Sequence, residues 1–361
     1  MTRCWRRCGL KLAIPFGIAS LHASSVLVGG AIAFSLNCAL AQITPDGTLP
    51  NNSIVTPSGN TNIIEGGTQA GSNLFHSFEQ FSVPTGGEAF FNNALDIRNI
   101  ISRVTGESIS NINGLLRANG SANLFLLNPN GIIFGPNASL AIGGSFVGST
   151  ANSLNFADDT QFSATNPQAI PLLTVSVPIG LQYGGAAGSI QVQQSILQVQ
   201  PGQTLALTGG DVSVEGGEFG FLSALGGRIE LGGLTGAGTV DIEGQQSEGV
   251  FRLTALRFPD AVERADVLLT NYAYVDVTGG GGGSIAINAR NLEVSGGVLG
   301  ESGIRARIAS GMGSPEATAG DITLNATGAI TVAQSSYIEN YVDSDATGKD
   351  RKSGSAGMPR P

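Results

Sequence analysis

The stretch Ala122–Leu140 places two tight turns around a three-residue apolar segment. Asn128-Pro129-Asn130-Gly131 is the first turn and Gly135-Pro136-Asn137-Ala138 is the second. Proline fixes φ at the first central position of a turn, while asparagine and glycine tolerate left-handed φ. Leu124–Leu127, before the first turn, is apolar at every position, so periodicity does not show which face is buried. Short strands joined by corner-like turns predict a coiled sheet, or β-solenoid.

The composition supports a folded chain with an unusual core. Of 361 residues 53 are glycine, 12% are charged and 6% are aromatic, whereas 41% are hydrophobic. Glycine this frequent without a G-X-Y period excludes collagen, and the hydrophobic fraction is too high for disorder. The core must therefore consist of small and β-branched residues separated by glycine turns.

The charge and the cysteines divide the chain at residue 41. The first 41 residues hold four basic residues, no acid and all three cysteines. The remainder carries 14 basic and 27 acidic residues, a net charge of −13, and no lysine occurs between Lys11 and Lys349. This distribution excludes a basic nucleic-acid surface, disulfides and thiolate metal sites after residue 41.

The N-terminus is typical of a secretory signal over residues 1–41. Met1–Lys11 is basic, Val26–Leu36 is apolar, and Ala39-Leu40-Ala41 is an A-x-A cleavage site. The mature chain is therefore expected to begin at Gln42. A transmembrane anchor is disfavoured because polar residues interrupt the apolar run.

Residues 42–185 are predicted to form one domain of strands and turns. Phe75, Phe78 and Phe81 recur every third residue, which allows either a short helical cap or an irregular strand. The motif Asn128–Ile132 is preceded in order by the supporting segments Gly66–Thr68, Asn73–Phe78, Ile100–Gly106 and Ile109–Gly114. The ordered set over about eighty residues is far more specific than any one turn.

On these residues, the segment from Leu74 to Phe156 resembles the haemagglutination-activity, or TPS, domain of two-partner-secretion exoproteins. Filamentous haemagglutinin is the best-known member, and cyanobacterial members look most similar. The resemblance implies an all-β fold, a right-handed parallel β-helix (solenoid) with N-terminal capping strands. It also implies a partner, an outer-membrane β-barrel transporter whose POTRA domains bind the chain in the periplasm.

The resemblance further implies that an unfolded chain threads through the barrel. Arg6-Arg7 resembles a twin-arginine signal, but that route carries folded cargo, so the general secretory route is favoured. The implied secretion motif comprises Asn128, Pro129, Asn130, Gly131 and Ile132. Asn92 and Asn93 stand where the family often has N-P-N-L. These residues either shape turns or contact the transporter, and both roles are compatible.

Residues 186–348 are predicted to be β-helix repeats. A Gly-polar-Ile sequence recurs four times, at Gly188, Gly227, Gly283 and Gly320. Stacked copies would complete a continuous core, with about twenty residues per coil and two coils per repeat. The last two copies align position by position, and their matching apolar residues are Ile285, Ile287, Leu292 and Val294 with Ile322, Leu324, Ile330 and Val332. A β-sandwich is the alternative.

Three segments depart from the repeat pattern. Gly249–Val277 is more charged and aromatic, which predicts a protruding loop or short helix. Gly279–Gly283 is predicted to be a mobile loop or a hinge between coil blocks. Residues 349–361 lose the apolar pattern, and a disordered or truncated tail is expected there.

No catalytic, cofactor or metal site is expected. The mature chain has one histidine, His76, and no cysteine. The alternative is a polysaccharide-active β-helix enzyme, for which the same-face pairs would be Asp211/Glu215, Asp241/Glu243 and Arg305/Arg307. A truncated delivery portion of a contact-dependent inhibition toxin is a further alternative. The favoured function is a non-enzymatic, adhesin-like exoprotein exported to the cell surface or medium, with a receptor on a host or neighbouring cell.

Overall fold

The computed structural model describes residues 42–167, 174–218, 220–247, 250–298 and 300–349. The predicted signal sequence, with Ala39 and Ala41 of its cleavage site, lies outside these ranges, as do residues 350–361 of the predicted tail. All regular secondary structure in the described ranges is β-strand, which confirms the all-β prediction. These ranges also contain no helix able to cross a membrane.

The described residues form short strands that follow one another through tight turns. They are β1 (Ile43–Pro45), β2 (Ser53–Ser58), β3 (Thr61–Gly66), β4 (Thr68–Ala70), β5 (Asn73–Phe81), β6 (Glu88–Phe91), β7 (Asn99–Val104), β8 (Ser110–Ile112), β9 (Leu115–Ala118), β10 (Asn123–Leu127), β11 (Ile132–Phe134), β12 (Ser139–Ala141), β13 (Phe146–Ser149), β14 (Ser153–Phe156), β15 (Gln161–Ser163), β16 (Pro178–Tyr183), β17 (Ile190–Gln193), β18 (Ile196–Gln198), β19 (Thr204–Gly209), β20 (Val212–Glu215), β21 (Phe221–Ser223), β22 (Arg228–Gly233), β23 (Gly238–Ser247), β24 (Val250–Arg257), β25 (Val267–Thr270), β26 (Tyr274–Asp276), β27 (Ser284–Ala289), β28 (Leu292–Ser295), β29 (Gly303–Arg305), β30 (Gly313–Thr318), β31 (Ile322–Ala326), β32 (Ile330–Ala333), β33 (Tyr337–Glu339) and β34 (Thr347–Lys349).

Three faces of parallel strands wind around one core, which confirms the parallel β-helix. Face 1 stacks β5, β7, β10, β13, β19, β22, β27 and β31, and face 2 stacks β8, β11, β17, β20, β25, β28 and β32. Face 3 stacks β3, β6, β9 and β12, and continues after a break with β18, β21, β26, β29 and β33. The predicted capping strands are present, since β1 and β4 pair antiparallel with β5, and β2 pairs antiparallel with β3.

A five-stranded antiparallel sheet, which we call the flanking sheet, covers the outside of face 1. It runs in the order β15-β14-β16-β23-β24. Leu124 and Leu126 of β10 point into the coil interior, whereas Phe125 and Leu127 point outward and are buried beneath the flanking sheet. Both sides of β10 are therefore buried, which explains why every residue of Leu124–Leu127 is apolar.

The register of the last coils confirms the predicted alignment. Ile285 pairs with Ile322 and Leu292 with Ile330, and the remaining predicted matches follow in step. Adjacent copies are adjacent coils, however, so the prediction of two coils per repeat is wrong. The hairpin β23–β24, which belongs to the flanking sheet, lengthens the coil between β22 and β27.

The first Gly-polar-Ile copy is not equivalent to the others. Ile190 lies on face 2, where it pairs with Ile132 and Val212. The other three copies are in register on face 1. Their glycines stack closely, and a Cβ on Gly320 would lie 1.3 Å from the carbonyl oxygen of Gly283. Close backbone approach at this corner thus explains the recurrent glycine. Residues 185 and 186 mark the predicted boundary between the two domains. Face 2 is continuous across it, because β11 before the boundary pairs with β17 after it.

The segments left open by the sequence are strands and corners. Phe75, Phe78 and Phe81 lie in β5, so the irregular strand is the observed form and the helical cap is not. The prediction of a loop or short helix for Gly249–Val277 is wrong for its described part, which contains β24, β25 and β26. Its exposed Arg252 and Arg257 lie on β24 of an antiparallel hairpin, which presents one side to solvent. Gly279–Gly283 forms the corner before β27, where Gly283 N–H donates to the carbonyl of Val277.

Candidate functional site

The Asn128 side chain lies inside the corner that joins face 1 to face 2. It is 0% exposed. Its Nδ2 donates to the carbonyl of Ser108 and to Ser110 Oγ, both at 2.9 Å. Its Oδ1 accepts from the backbone N–H of Asn130 at 3.0 Å, the usual bond of an Asx turn. The side chain therefore ties the corner to the preceding coil.

The rest of the motif bonds to the coils on both sides. Asn130 is exposed, and its Nδ2 donates to the carbonyl of Gly106 at 2.7 Å. Gly131 has φ of 127°, a region that favours glycine, and its N–H donates to the carbonyl of Asn128 at 3.1 Å. The N–H of Ile132 donates to Ser189 of the following coil at 3.1 Å, and the half-buried Pro129 accepts from that coil as well.

Asn92 and Asn93 lie at a different corner, the one between β6 on face 3 and β7 on face 1. Asn93 is buried, and its Oδ1 accepts from the N–H of Asn119 in the next coil at 2.9 Å. Asn92 is exposed and bonds to Glu65 at 2.7 Å and to Asn119 at 2.9 Å. The two parts of the predicted secretion motif are thus separate corners, each built on asparagine bonds between coils.

A third set of asparagines was not predicted from the sequence. Asn73, Asn99 and Asn123 begin successive strands of face 1, and their amides bond in series at 2.8 and 2.9 Å. Asn123 also donates to the carbonyl of Phe251, and Asn73 to that of Ser176, so the ladder bonds face 1 to the segments that cover it. The sequence signal was present, because each asparagine is followed by two apolar residues at intervals of 26 and 24.

Arg103 is a buried cation at the junction of the cap, face 1 and the flanking sheet. It is 1% exposed and donates to Ser77 Oγ at 2.8 Å, to Thr48 Oγ1 at 2.9 Å and to the carbonyl of Ser163 at 2.6 Å. Ser77 in turn donates to Asp46, which places a carboxylate one side chain away. Burial lowers the pKa of Arg103 to about 10, opposed by the negative charge of Asp46.

Asp46 accepts several hydrogen bonds in this network. Burial acts to raise the pKa of Asp46, but hydrogen bonds from Ser77, Thr105 and Thr48 outweigh it, so the pKa lies below its usual value. The carboxylate is therefore ionised at neutral pH and stabilises the guanidinium of Arg103 through Ser77. The network holds the cap, face 1 and the flanking sheet together.

His76 is a packed core residue. It is 1% exposed, its Nδ1 lies 3.0 Å from Ser53 Oγ, and its ring is 5.5 Å from that of Phe91. Its Nε2 is buried and has no hydrogen-bond partner in the described structure. Burial lowers the pKa of His76 to about 3, so the ring is neutral in the folded protein.

We expect the stability contributed by neutral His76 to be lost as the pH falls below 6.5. The unfolded chain binds a proton near 6.5 whereas the folded chain does so only near 3, so acid favours unfolding over this window. The slope approaches about 1.4 kcal/mol per pH unit for one proton. Urea unfolding at pH 5 and 7.5 should therefore show a smaller pH effect for His76→Gln than for the native chain.

The comparison with His76→Gln at each pH isolates the histidine. Glu230 acts in the opposite direction, because burial beneath the flanking sheet raises its pKa to about 7 despite its ion pair with Arg228. Both proteins retain Glu230, so its contribution cancels in the difference. Equal pH dependence of the two unfolding free energies would contradict this prediction, because it would show that His76 binds a proton as readily in the folded chain as in the unfolded chain.

The residue pairs named for the enzyme alternative do not converge. Asp211 directly precedes β20 on face 2 and Glu215 ends it, whereas Asp241 and Glu243 lie on β23 of the flanking sheet. Arg305 and Arg307 lie at face 3, where both approach Glu339. Within the described ranges no three His, Cys, Asp or Glu side chains are grouped so as to hold a metal ion.

Solved structures that are similar to this chain include two secretion domains. The chain is similar to the HMW1 secretion domain from Haemophilus influenzae, with 21% identity, a TM-score of 0.49, and coverage of 83% of this chain and 76% of that one. It is also similar to the filamentous hemagglutinin secretion domain, with 16% identity, a TM-score of 0.45, and coverage of 86% and 99%. No curated protein gave a significant match.

The family assignment follows from a match over most of the chain. The family model described as the TPS secretion domain matches residues 41–287, well over half of the 361 residues. The match includes all three asparagine sets, the Arg103 network and the flanking sheet. The chain therefore belongs to the TPS secretion domain family, and it is a two-partner-secretion exoprotein.

Proposed function

We propose that the domain directs export of the chain through an outer-membrane β-barrel whose POTRA domains bind it, and that the exported protein acts as an adhesin at the cell surface. The observation that carries the proposal is the family match over residues 41–287. We propose no catalytic role, which is supported by the separation of the carboxylate pairs at β20 and on β23 and by the packed His76.

The corner at Asn128 is proposed as the element that the transporter recognises. In the folded domain Asn128 is fully buried, so only Asn130 and the half-buried Pro129 could be contacted there. Before the coils stack, however, the Asn128 amide has no access to Ser108 and Ser110 in their folded positions and is free to bind a partner. We therefore propose that the transporter binds this segment before the domain folds.

Folding of the domain would then release the Asn128 segment from the transporter. The N–H of Ile132 and the carbonyl of Pro129 bond to Ser189 and Gly188, which lie nearly sixty residues later in the chain. A chain that threads from its N-terminal part onward reaches these partners late. Formation of the coil that contains β17 would thus compete with the transporter for the same backbone groups.

The test is an export assay with and without the partner. The full chain, with its signal, is expressed together with a POTRA-bearing outer-membrane barrel encoded beside it, or with that gene deleted. We expect the chain in the medium or on the cell surface only when the partner is present. Equal export without the partner, or retention in the periplasm despite it, would contradict the proposed function.

A further inference from the structure

Four of the five tyrosines of the chain cluster on face 3 of the C-terminal coils. Tyr274 and Tyr337 lie on β26 and β33, Tyr272 directly precedes β26, and Tyr341 follows β33. The fifth, Tyr183, is a buried residue of β16 in the flanking sheet. In a chain with only 6% aromatic residues, such a concentration on one outer surface indicates a binding role.

The rings form a connected platform. The Tyr272 and Tyr274 ring centroids are 5.0 Å apart, and the guanidinium of Arg305 lies 4.3 Å from the Tyr274 centroid and 5.0 Å from that of Tyr337. Gly303 lies between the two tyrosines in the strand register. A Cβ on Gly303 would lie 2.6 Å from Tyr337 Cζ, so the glycine lets that ring lie against the strand.

A groove of about 370 Å³ borders this platform, with Phe221 and Tyr274 as its aromatic lining and Gln198, Ser223, Asp276 and Arg305 as its polar lining. The side chains of Gln198 and Ser223 make no hydrogen bond within the described part of the chain. One carboxylate oxygen of Asp276 accepts from Thr278 N–H at 2.7 Å, which leaves its second oxygen available to a ligand. A second groove, of about 480 Å³, is lined by Glu218 and by Ile196, which lies on β18 together with Gln198.

We propose that this surface binds a neutral polysaccharide. Partly exposed aromatic rings match the apolar C–H faces of sugar rings, and amide, carboxylate and hydroxyl groups match sugar hydroxyls. The volume falls in the range of small-ligand sites, and parallel strands about 4.8 Å apart repeat the surface along the helix axis, which suits a polymer. Arg305 is ion-paired with Glu339 at 3.3 Å, so Asp276 and Glu218, together with the acidic mature chain, disfavour anionic glycans.

The inference names a ligand class for the proposed adhesin role and rests on that part of the proposed function. Export is measured separately, so a failure of sugar binding and a failure of secretion are distinguishable. The tyrosine platform also lies away from Asn128, since Tyr274 and Tyr337 are on β26 and β33 of face 3 whereas Asn128 lies at the corner between β10 on face 1 and β11 on face 2.

The test applies the purified mature chain to an array of neutral and anionic oligosaccharides and protein spots, followed by titration of the best neutral ligand. We expect binding to neutral sugars. Tyr274→Ala should weaken it about tenfold, the effect of losing one aromatic contact, while Tyr274→Phe, which keeps the ring, should stay within about twofold. Phe90→Ala is the matched control, because Arg117 stacks on Phe90 on the N-terminal part of face 3.

Thermal unfolding monitored by circular dichroism verifies that each variant is folded. Absence of binding to every neutral sugar would overturn the proposal. Binding to anionic glycans or protein spots alone would overturn it as well. Unchanged affinity of a folded Tyr274→Ala would show that the tyrosine platform is not the site.

Discussion

Replacing Asn128 with alanine should lower the free energy of unfolding of the mature chain by about 3 kcal/mol, because it leaves buried polar groups without partners. The substitution removes two donated bonds, to Ser108 and Ser110, and the bond accepted from Asn130 N–H. Asn128 and Ser110 are both buried, so water does not replace the bond between them, whereas Ser108 and Asn130 are exposed. Urea unfolding of the refolded mature chain measures the loss.

Asn137→Ala provides the matched control for this prediction. Asn137 belongs to the next turn of the same stretch, but it is exposed, and among the described residues its side chain bonds only to Asn113. Its replacement should change the free energy of unfolding by less than about 0.5 kcal/mol, as is usual for surface positions. Equal losses for the two variants would contradict the structural role assigned to the buried amide.

Arg103→Leu should cost about 3 to 5 kcal/mol, the usual range when one partner of a buried charge network is removed. The variant leaves Ser77, Thr48 and the carbonyl of Ser163 without their shared donor. It also leaves Asp46 ionised beside an apolar side chain. Arg103→Lys should recover only part of the loss, because an ammonium group cannot reproduce the three-way geometry of the guanidinium.

Arg98→Leu is the control for Arg103. Arg98 is half-exposed immediately before β7, the strand that carries Arg103, and its bond to Ser121 lies at the surface. Its loss should change stability by less than about 0.5 kcal/mol. Denaturant titrations of the three variants under one buffer condition make the comparison. A loss below about 1 kcal/mol for Arg103→Leu would show that the network is not needed to join the cap, face 1 and the flanking sheet.

Local turn chemistry made the corners predictable from the sequence. The Asn-Pro-Asn-Gly turn restricts φ at consecutive positions, so its shape does not depend on distant contacts. The alignment of Ile285 with Ile322 was predictable for a related reason, since stacked coils need matching apolar positions. Neither signal shows how many residues lie in one coil, because a hairpin inserted between coils leaves the repeat itself unchanged.

The flanking sheet was not predictable because its cause is nonlocal. Phe125 is outward-facing and buried only because β14, β16, β23 and β24 cover it, and these strands come from two separate parts of the chain. The burial of Asn128 was equally hidden, since an asparagine in a turn is as compatible with solvent as with the interior. The ladder of Asn73, Asn99 and Asn123 was visible as a recurrence, but only the strand register gives it meaning.

The central claim is that the corner formed by Asn128–Ile132 directs export, and Asn130→Ala tests it most directly. Asn130 is exposed, so its replacement disturbs stability little, and Asn137→Ala serves again as the control. Secreted chain is quantified from cells that also express the cognate transporter. We predict about tenfold less secreted Asn130→Ala, corresponding to one lost contact of ~1.4 kcal/mol, with Asn137→Ala unchanged. Export of Asn130→Ala at the native level would contradict the claim.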